Sequence, residues 1–243
     1  MRKIKKTSEL LWIFGIVFVA LGVTICSKAN LGVSMVAAPA FIISEFISQF
    51  NSFFNVGVTE YILQGLMLIA LCITVKKFNW RYLLAFAVAV LYGYTLNFFI
   101  WIFADLEFSA VWLRYIMLII GDIITAFGVA CFFRTYMPLQ VYELFVAEIS
   151  DNFRIKIDKV KGVFDISLLL VSIILSLVLF SDTTSFDWSS LWHTSFHSIG
   201  IGTIITTAIN SPIISLMGKL IDRFFDNSPC FSKLEFLLKR NHN

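Results

Sequence analysis

The sequence predicts an all-α membrane protein of six transmembrane helices built as an inverted 3+3 repeat, with both termini cytoplasmic. Three observations predict it. Hydrophobic residues make up 58% of the 243-residue chain and charged residues only 14%, with a mean hydropathy of +0.85. A soluble domain is nearer half apolar and about a quarter charged, so the surplus must be solvated by lipid. Six apolar segments are long enough to cross a bilayer, which takes about 20 residues of helix. Two stretches about a hundred residues apart also carry the same special residues in the same order, a common way to build a transporter.

The six spans fall at 10–27, 57–75, 82–104, 112–133, 162–180 and 194–218. Two shorter segments, Ser34–Phe50 and Leu139–Asp151, each follow a break: Asn30, Leu31 and Gly32 in one case, Met137 and Pro138 in the other. Residues 1–9 form a basic N-terminus, 10–104 the first repeat, 112–220 the second, and 221–243 a tail. The N-terminal bases resemble a signal-peptide start, but the apolar run after them is too long and lacks a small-residue cleavage site, so it reads as a retained span.

The repeat pairs Ala20, Gly22 and Val23 with Ala126, Gly128 and Val129, Lys28 with Arg134, and Gly32 with Pro138. After a one-residue deletion, Gly57 and Glu60 fall on Gly162 and Asp165. Only 5 of the 28 positions from Ala20 to Ile47 are identical, so the order of special residues carries the argument rather than the identity.

Basic residues give the orientation. If the two short segments do not cross and the N-terminus is cytoplasmic, 17 of the 19 Lys and Arg residues lie inside, and only Lys28 and Arg114 lie outside. If both short segments crossed, Lys76, Lys77 and Arg81 would move outside, against the positive-inside rule. Three spans per copy is an odd number, so the second copy enters from the opposite face. The short segments are then broken or re-entrant helices, tolerated only where protein or a wet cavity surrounds them.

The candidate substrate-binding residues are Lys28, Arg134, Asn30 and Glu143. Lys28 and Arg134 end their helices beside the breaks, where they can cap carbonyls or snorkel, or coordinate an anion with the N–H groups of the half-helices. Glu60, Asp165 and Asp122 are the candidates for ion pairing or proton coupling. Glu60 and Asp165 lie about one turn inside their spans, where they can complement the helix dipole or face the interior. Asp122 lies mid-span, where an unpaired carboxylate costs about 2.5–3.5 kcal/mol. Glu143 and Glu148 are about 140° apart on a helix, so Glu143 can face the cavity while Glu148 faces the interface.

No catalytic motif, cofactor site or metal site is evident. His193 and His197 have ligand spacing, but no third ligand accompanies them, and with Trp188 and Trp192 they read as an interfacial belt. The four cysteines form no CxxC pair, and nothing suggests a nucleic-acid partner. Gly200, Ile201, Gly202 and Thr203 open the last span with a close backbone approach, and Pro212 is expected to kink it.

The run from Ala20 to Ser34, ALGVTICSKANLGVS, resembles the first-copy signature of the YczE/YyaS/YitT-type bacterial membrane proteins. MPLQVYE (137–143), VKGVFD (160–165) and GIGT (200–203) are similar to the later signatures of that family, so the resemblance runs from about residue 10 to 220. Met35 stands where the family has Pro, residues 140–142 alter its Gly-Glu-Gly turn, and Gly200-Ile201 lacks its Arg-Glu pair. The resemblance implies a multi-pass protein of the bacterial cytoplasmic membrane without naming a substrate.

The functional expectation is a secondary transporter or permease for a small anionic or zwitterionic solute. Its partners are the bilayer and that solute, and a homo-oligomer is compatible with this reading. The alternatives are a membrane accessory or scaffold protein, or a lipid-binding one. The charge count makes one prediction directly. A green fluorescent protein fused after Asn243 should fluoresce, whereas a periplasm-dependent phosphatase fused there should be inactive. The opposite pattern would reverse the topology.

Overall fold

A computed structural model describes residues 7–51, 53–76, 78–180, 192, 195, 198–226 and 228–230. Among these, the chain forms eight α-helices and no β-strand. They are α1 (Ser8–Lys28), α2 (Ala38–Ser48), α3 (Val56–Val75), α4 (Arg81–Ile102), α5 (Val111–Phe132), α6 (Val141–Phe153), α7 (Ile157–Leu179) and α8 (Ile201–Phe224). Six of them, all but α2 and α6, are long and apolar enough to cross a membrane. The outward faces are apolar too: Ile73, Trp101, Val163 and Val178 are each at least 67% exposed, which only lipid would solvate at low cost.

α1 and α5 form the centre, with about half of each span buried against 22% for α7. They run antiparallel and cross where glycines let the backbones meet. A Cβ on Gly22 would strike the Gly121 carbonyl and Thr125, and one on Gly128 would strike Val19 and the Gly15 carbonyl. Small residues are the usual means of close helix approach in lipid, where dispersion replaces the hydrophobic effect. Around this pair, α4 packs on α1 and α8 on α5, while α2 packs on α7 and α3 on α6.

The two short helices start later than their sequence segments suggested. α1 ends because Asn30 adopts φ 52° and Gly32 φ 108°, a region that favours glycine. A turn over residues 34–37 follows, and Pro39 lies in the first turn of α2, where its missing N–H costs nothing. The first break is held by the start of α8, since Gly202 N donates to Leu31 O (2.8 Å) and Val33 N to Ser198 O (2.9 Å). The expected close approach of the Gly200 segment is therefore made to this break. The second break is held by the start of α1: Trp12 Nε1 donates to Pro138 O (2.8 Å), and Ser8 Oγ lies 3.0 Å from Thr135 Oγ1.

The last helix begins at Ile201 rather than near residue 194 and continues through Pro212 to Phe224. The extended Gly200 sets its start, and no break in the helix occurs at the proline. His193, His197, Trp188 and the tail from residue 231 lie outside the described residues.

The crossing predicts a clear asymmetry among the glycines. Gly22→Leu should cost at least about 1–3 kcal/mol through overpacking, lowering the thermal midpoint in detergent and the yield of monodisperse protein. Gly162→Ala, whose Cβ would meet nothing within 4 Å, should leave both unchanged.

Candidate functional site

Antiparallel packing of α1 on α5 decides where the predicted bases go. Lys28 ends α1 at the level where α5 begins, and Arg134 follows α5 at the level where α1 begins. About 19 residues of helix separate those levels, roughly 28 Å. Lys28 and Arg134 therefore lie at opposite ends of the central pair, and neither pairs with Glu60 or Asp165. Lys28 Nζ instead donates to Ala104 O (2.8 Å), just past the end of α4. Arg134 makes a bidentate pair with Asp222 of α8, Nε to Oδ1 and Nη2 to Oδ2, both 2.9 Å. Asn30 is exposed at the Lys28 end and accepts from Ser195 Oγ (2.7 Å).

The carboxylates do converge. Glu60, Asp122, Glu143 and Asp165 are at most 4% exposed, and the charge that gathers them is Lys161, itself 4% exposed. Lys161 Nζ donates to Asp165 Oδ1 (2.6 Å) one turn along α7, and its charge also reaches Asp122 and Glu143. Glu60 stands at the other end of this string, beside Glu143. Gln64 joins the two halves, donating from Nε2 to Glu60 Oε1 and accepting at Oε1 from Val141 N, each at 3.3 Å.

Lys161 is the residue that sequence reasoning missed, because it reads as one of a run of loop bases with Arg154, Lys156 and Lys159. Its signal is the spacing of four to Asp165, which puts both side chains on one helix face. One buried cation against four carboxylates leaves a formal charge of −3 with all groups ionised. Each uncompensated buried charge costs several kcal/mol, so the cluster must be balanced by protons or by cations. Burial pushes the Glu143 carboxyl, on the short helix α6, up to about 7, against the opposing pulls of Lys161 and a backbone N–H.

The cluster surrounds a cavity of about 20 Å³ at the middle of the fold, where the N-terminal ends of α2 and α6 meet. Its walls include Glu60, Glu143, Lys161, Tyr92, Gln140 and Asn210. Four of the oxygens on these walls have no hydrogen-bond partner: Glu60 Oε2, Glu143 Oε2, Gln140 Oε1 and Asn210 Oδ1. Asp122 lies outside the cavity, and both of its oxygens are also unpartnered.

Two open cavities flank this closed one. One of about 740 Å³ lies at the Arg134 end and reaches Arg81, Arg134, Asp158, Lys219 and Lys161. The other, about 440 Å³, lies at the Lys28 end between Lys28, Asn30, Glu45 and Ile100. Along α4, Tyr82 belongs to the first and Ile100 to the second, about 27 Å apart, with Tyr92 at the closed cavity between them. Lys161 borders both the 740 Å³ cavity and the closed one. Glu148 lines the large cavity and Glu143 the closed one, so the two acids face apart as their spacing requires.

Residues 6–219 match the family described as Family of unknown function (DUF6198). The chain belongs to this family. No curated protein and no solved structure matches it. Membership in DUF6198 thus extends over both breaks, all four buried carboxylates and Lys161.

The Lys161–Asp165 pair yields a prediction in stability. Lys161→Met should cost about 3–5 kcal/mol by leaving buried carboxylates uncompensated. Lys161→Met combined with Asp165→Asn should recover most of that loss. Thermal unfolding in detergent checks this, and equal instability of the single and double variants would refute the coupling.

Proposed function

We propose that this multi-pass membrane protein is a secondary transporter for a small zwitterionic solute, working through two inverted repeats. The observation that carries the proposal is the closed polar cavity between two open ones, at the point where two half-helices meet. A fixed central site between alternately open cavities is the arrangement that rocking-repeat transporters use.

Several features support the inverted repeat. The closed cavity is lined by Val19, Val23, Ser34, Val36 and Ala37, and also by Thr125, Val129, Gln140, Tyr142 and Glu143. These are the same five positions in each copy, displaced by the 106 residues that separate Ala20 from Ala126. The packing has the same exchange symmetry, with α2 on α7 answering α3 on α6. The glycine crossing does too, since Gly15 against Gly128 maps onto Gly121 against Gly22.

The positive-inside rule assigns the Arg134 end to the cytoplasm, so the large cavity is an inward-open vestibule. Its volume falls in the range of small-molecule sites, and both signs of charge line it. Lys219 and Asp158 line it with opposite charges, beside Arg81, Glu148 and Asp151, which have interactions of their own. Lys161 forms the floor of this vestibule and stands between solute and acid cluster. Lys28 and Asn30 line the opposite opening, and Glu60, Glu143, Asp122 and Asp165 supply the coupling charges. The resemblance to the YczE/YyaS/YitT-type bacterial proteins supports reading the membrane as a bacterial cytoplasmic one.

Uptake by the purified protein in proteoliposomes, assayed with a panel of labelled amino acids and other small zwitterions, tests the proposal. At least one panel member should be taken up. Lys161→Met and Glu143→Gln should reduce that uptake at least about tenfold, in variants that remain monodisperse, while Ser167→Ala on the exposed side of α7 stays near wild type. No uptake by the wild type, or full uptake by both charge variants, would overturn it.

A further inference from the structure

We infer that the closed cavity is a binding site for one small monovalent metal cation, of the size of Na⁺. The inference concerns occupancy of the cavity and holds whether or not the protein moves a solute.

Chemistry and volume both point to it. The four wall atoms left without a hydrogen bond are all acceptor oxygens, two from carboxylates (Glu60, Glu143) and two from amides (Gln140, Asn210), with the Tyr142 hydroxyl beside Glu60 as a nearby donor. All four residues are at least nine-tenths buried. An unsatisfied buried acceptor costs about 1–3 kcal/mol, more if charged, and a native fold does not tolerate four around one void without a reason. Protonation can relieve a carboxylate, but an amide oxygen is not protonated in this way and needs a donor or a cation. A hard cation satisfies all four together, since carboxylate and carbonyl oxygens are the ligands such ions prefer.

At about 20 Å³ the void holds one water-sized particle. That excludes an organic amine and fits a dehydrated alkali ion. No group of three or more His, Cys, Asp or Glu side chains is placed to hold a metal among the described residues. This counts against a zinc or transition-metal centre and leaves the two-carboxylate, two-amide set suited to an alkali ion. The surrounding positive charge is the opposing effect. Lys161 borders the cavity, though its ammonium is paired with Asp165 at 2.6 Å. The N-termini of α2 and α6 add partial positive charge, which the two wall carboxylates must outweigh when the cation binds.

The test is a thermal-unfolding titration of the purified full chain in detergent. NaCl replaces choline chloride at constant ionic strength and pH, with KCl and LiCl as size controls. The expected result is a saturable rise in Tm, about 5–10 °C at a Na⁺ concentration one hundred times Kd, larger for Na⁺ than for K⁺. The rise should shrink to near zero in Asn210→Ala and in Glu143→Gln, and persist in Ser167→Ala on the outside of α7. Because the wild type alone supplies the primary readout, a variant that fails to fold does not rescue the idea. A wild-type Tm indifferent to Na⁺ but sensitive to pH would assign the cavity to protons and overturn it. So would a rise of equal size with choline, or one retained in Asn210→Ala. No solute or flux is involved, so a Na⁺ response without uptake, or uptake without a Na⁺ response, separates this inference from the transport proposal.

Discussion

The antiparallel contact of α1 with α5 governs everything around it. Four glycines, at positions 15, 22, 121 and 128, bring two backbones close enough that each takes the place of the other's missing side chains. Without a hydrophobic drive between helices in lipid, such packing carries much of the association. It also sets the position of both breaks. The end of one central helix lies beside the start of the other, so Trp12 and Ser8 can hold the second break. The first is held by the neighbouring start of α8. Backbone that leaves its helix at this depth has no water to turn to, and these fixed partners are what allow the chain to double back.

The buried charges follow from that geometry. The half-helices bring their first turns to the centre, Gln140 and Glu143 from one side and Ser34 and Ala37 from the other. α3 adds Glu60 from its second turn and α7 adds Asp165 from its third, and Lys161 reaches the group from the edge of the large cavity. A cluster with more acids than bases is a poor way to stabilise a protein. Its presence at the meeting point of the fold is better explained by what it binds than by what it holds together.

The spans were largely legible in the sequence because long apolar runs admit few other structures, and the two short helices showed themselves by the breaks before them. The approach of the Gly200 segment was legible as a close contact, although its partner at Leu31 was not. The acids were visible as charges in apolar surroundings. What could not be read was which charges meet. Lys28 and Arg134 fall on matching positions of the repeat proposed from the sequence, and matching positions suggest a shared site. Equivalent positions related by an in-plane axis can lie at opposite ends, however, and only the antiparallel register of α1 and α5 shows that these do. Lys161 was hidden for the converse reason. It sits in a run of loop-like bases, and only its burial, beginning at Val160 after the exposed first residues of α7, separates it from Lys156 and Lys159.

Lys161 borders both the large cavity and the closed one, and the Lys28-side cavity lies toward the far end, so in the proposed transporter the closed site stands between the two compartments. If water in the cavities carried each bulk potential inward, the membrane voltage would fall mainly across the protein between them. A unit charge crossing the full drop does about 2.3 kcal/mol of electrical work per 100 mV. In the proposed transporter, part of that work would fall at Lys161 and the carboxylates beside it, and a step that moves a charge past them would inherit a dependence on voltage.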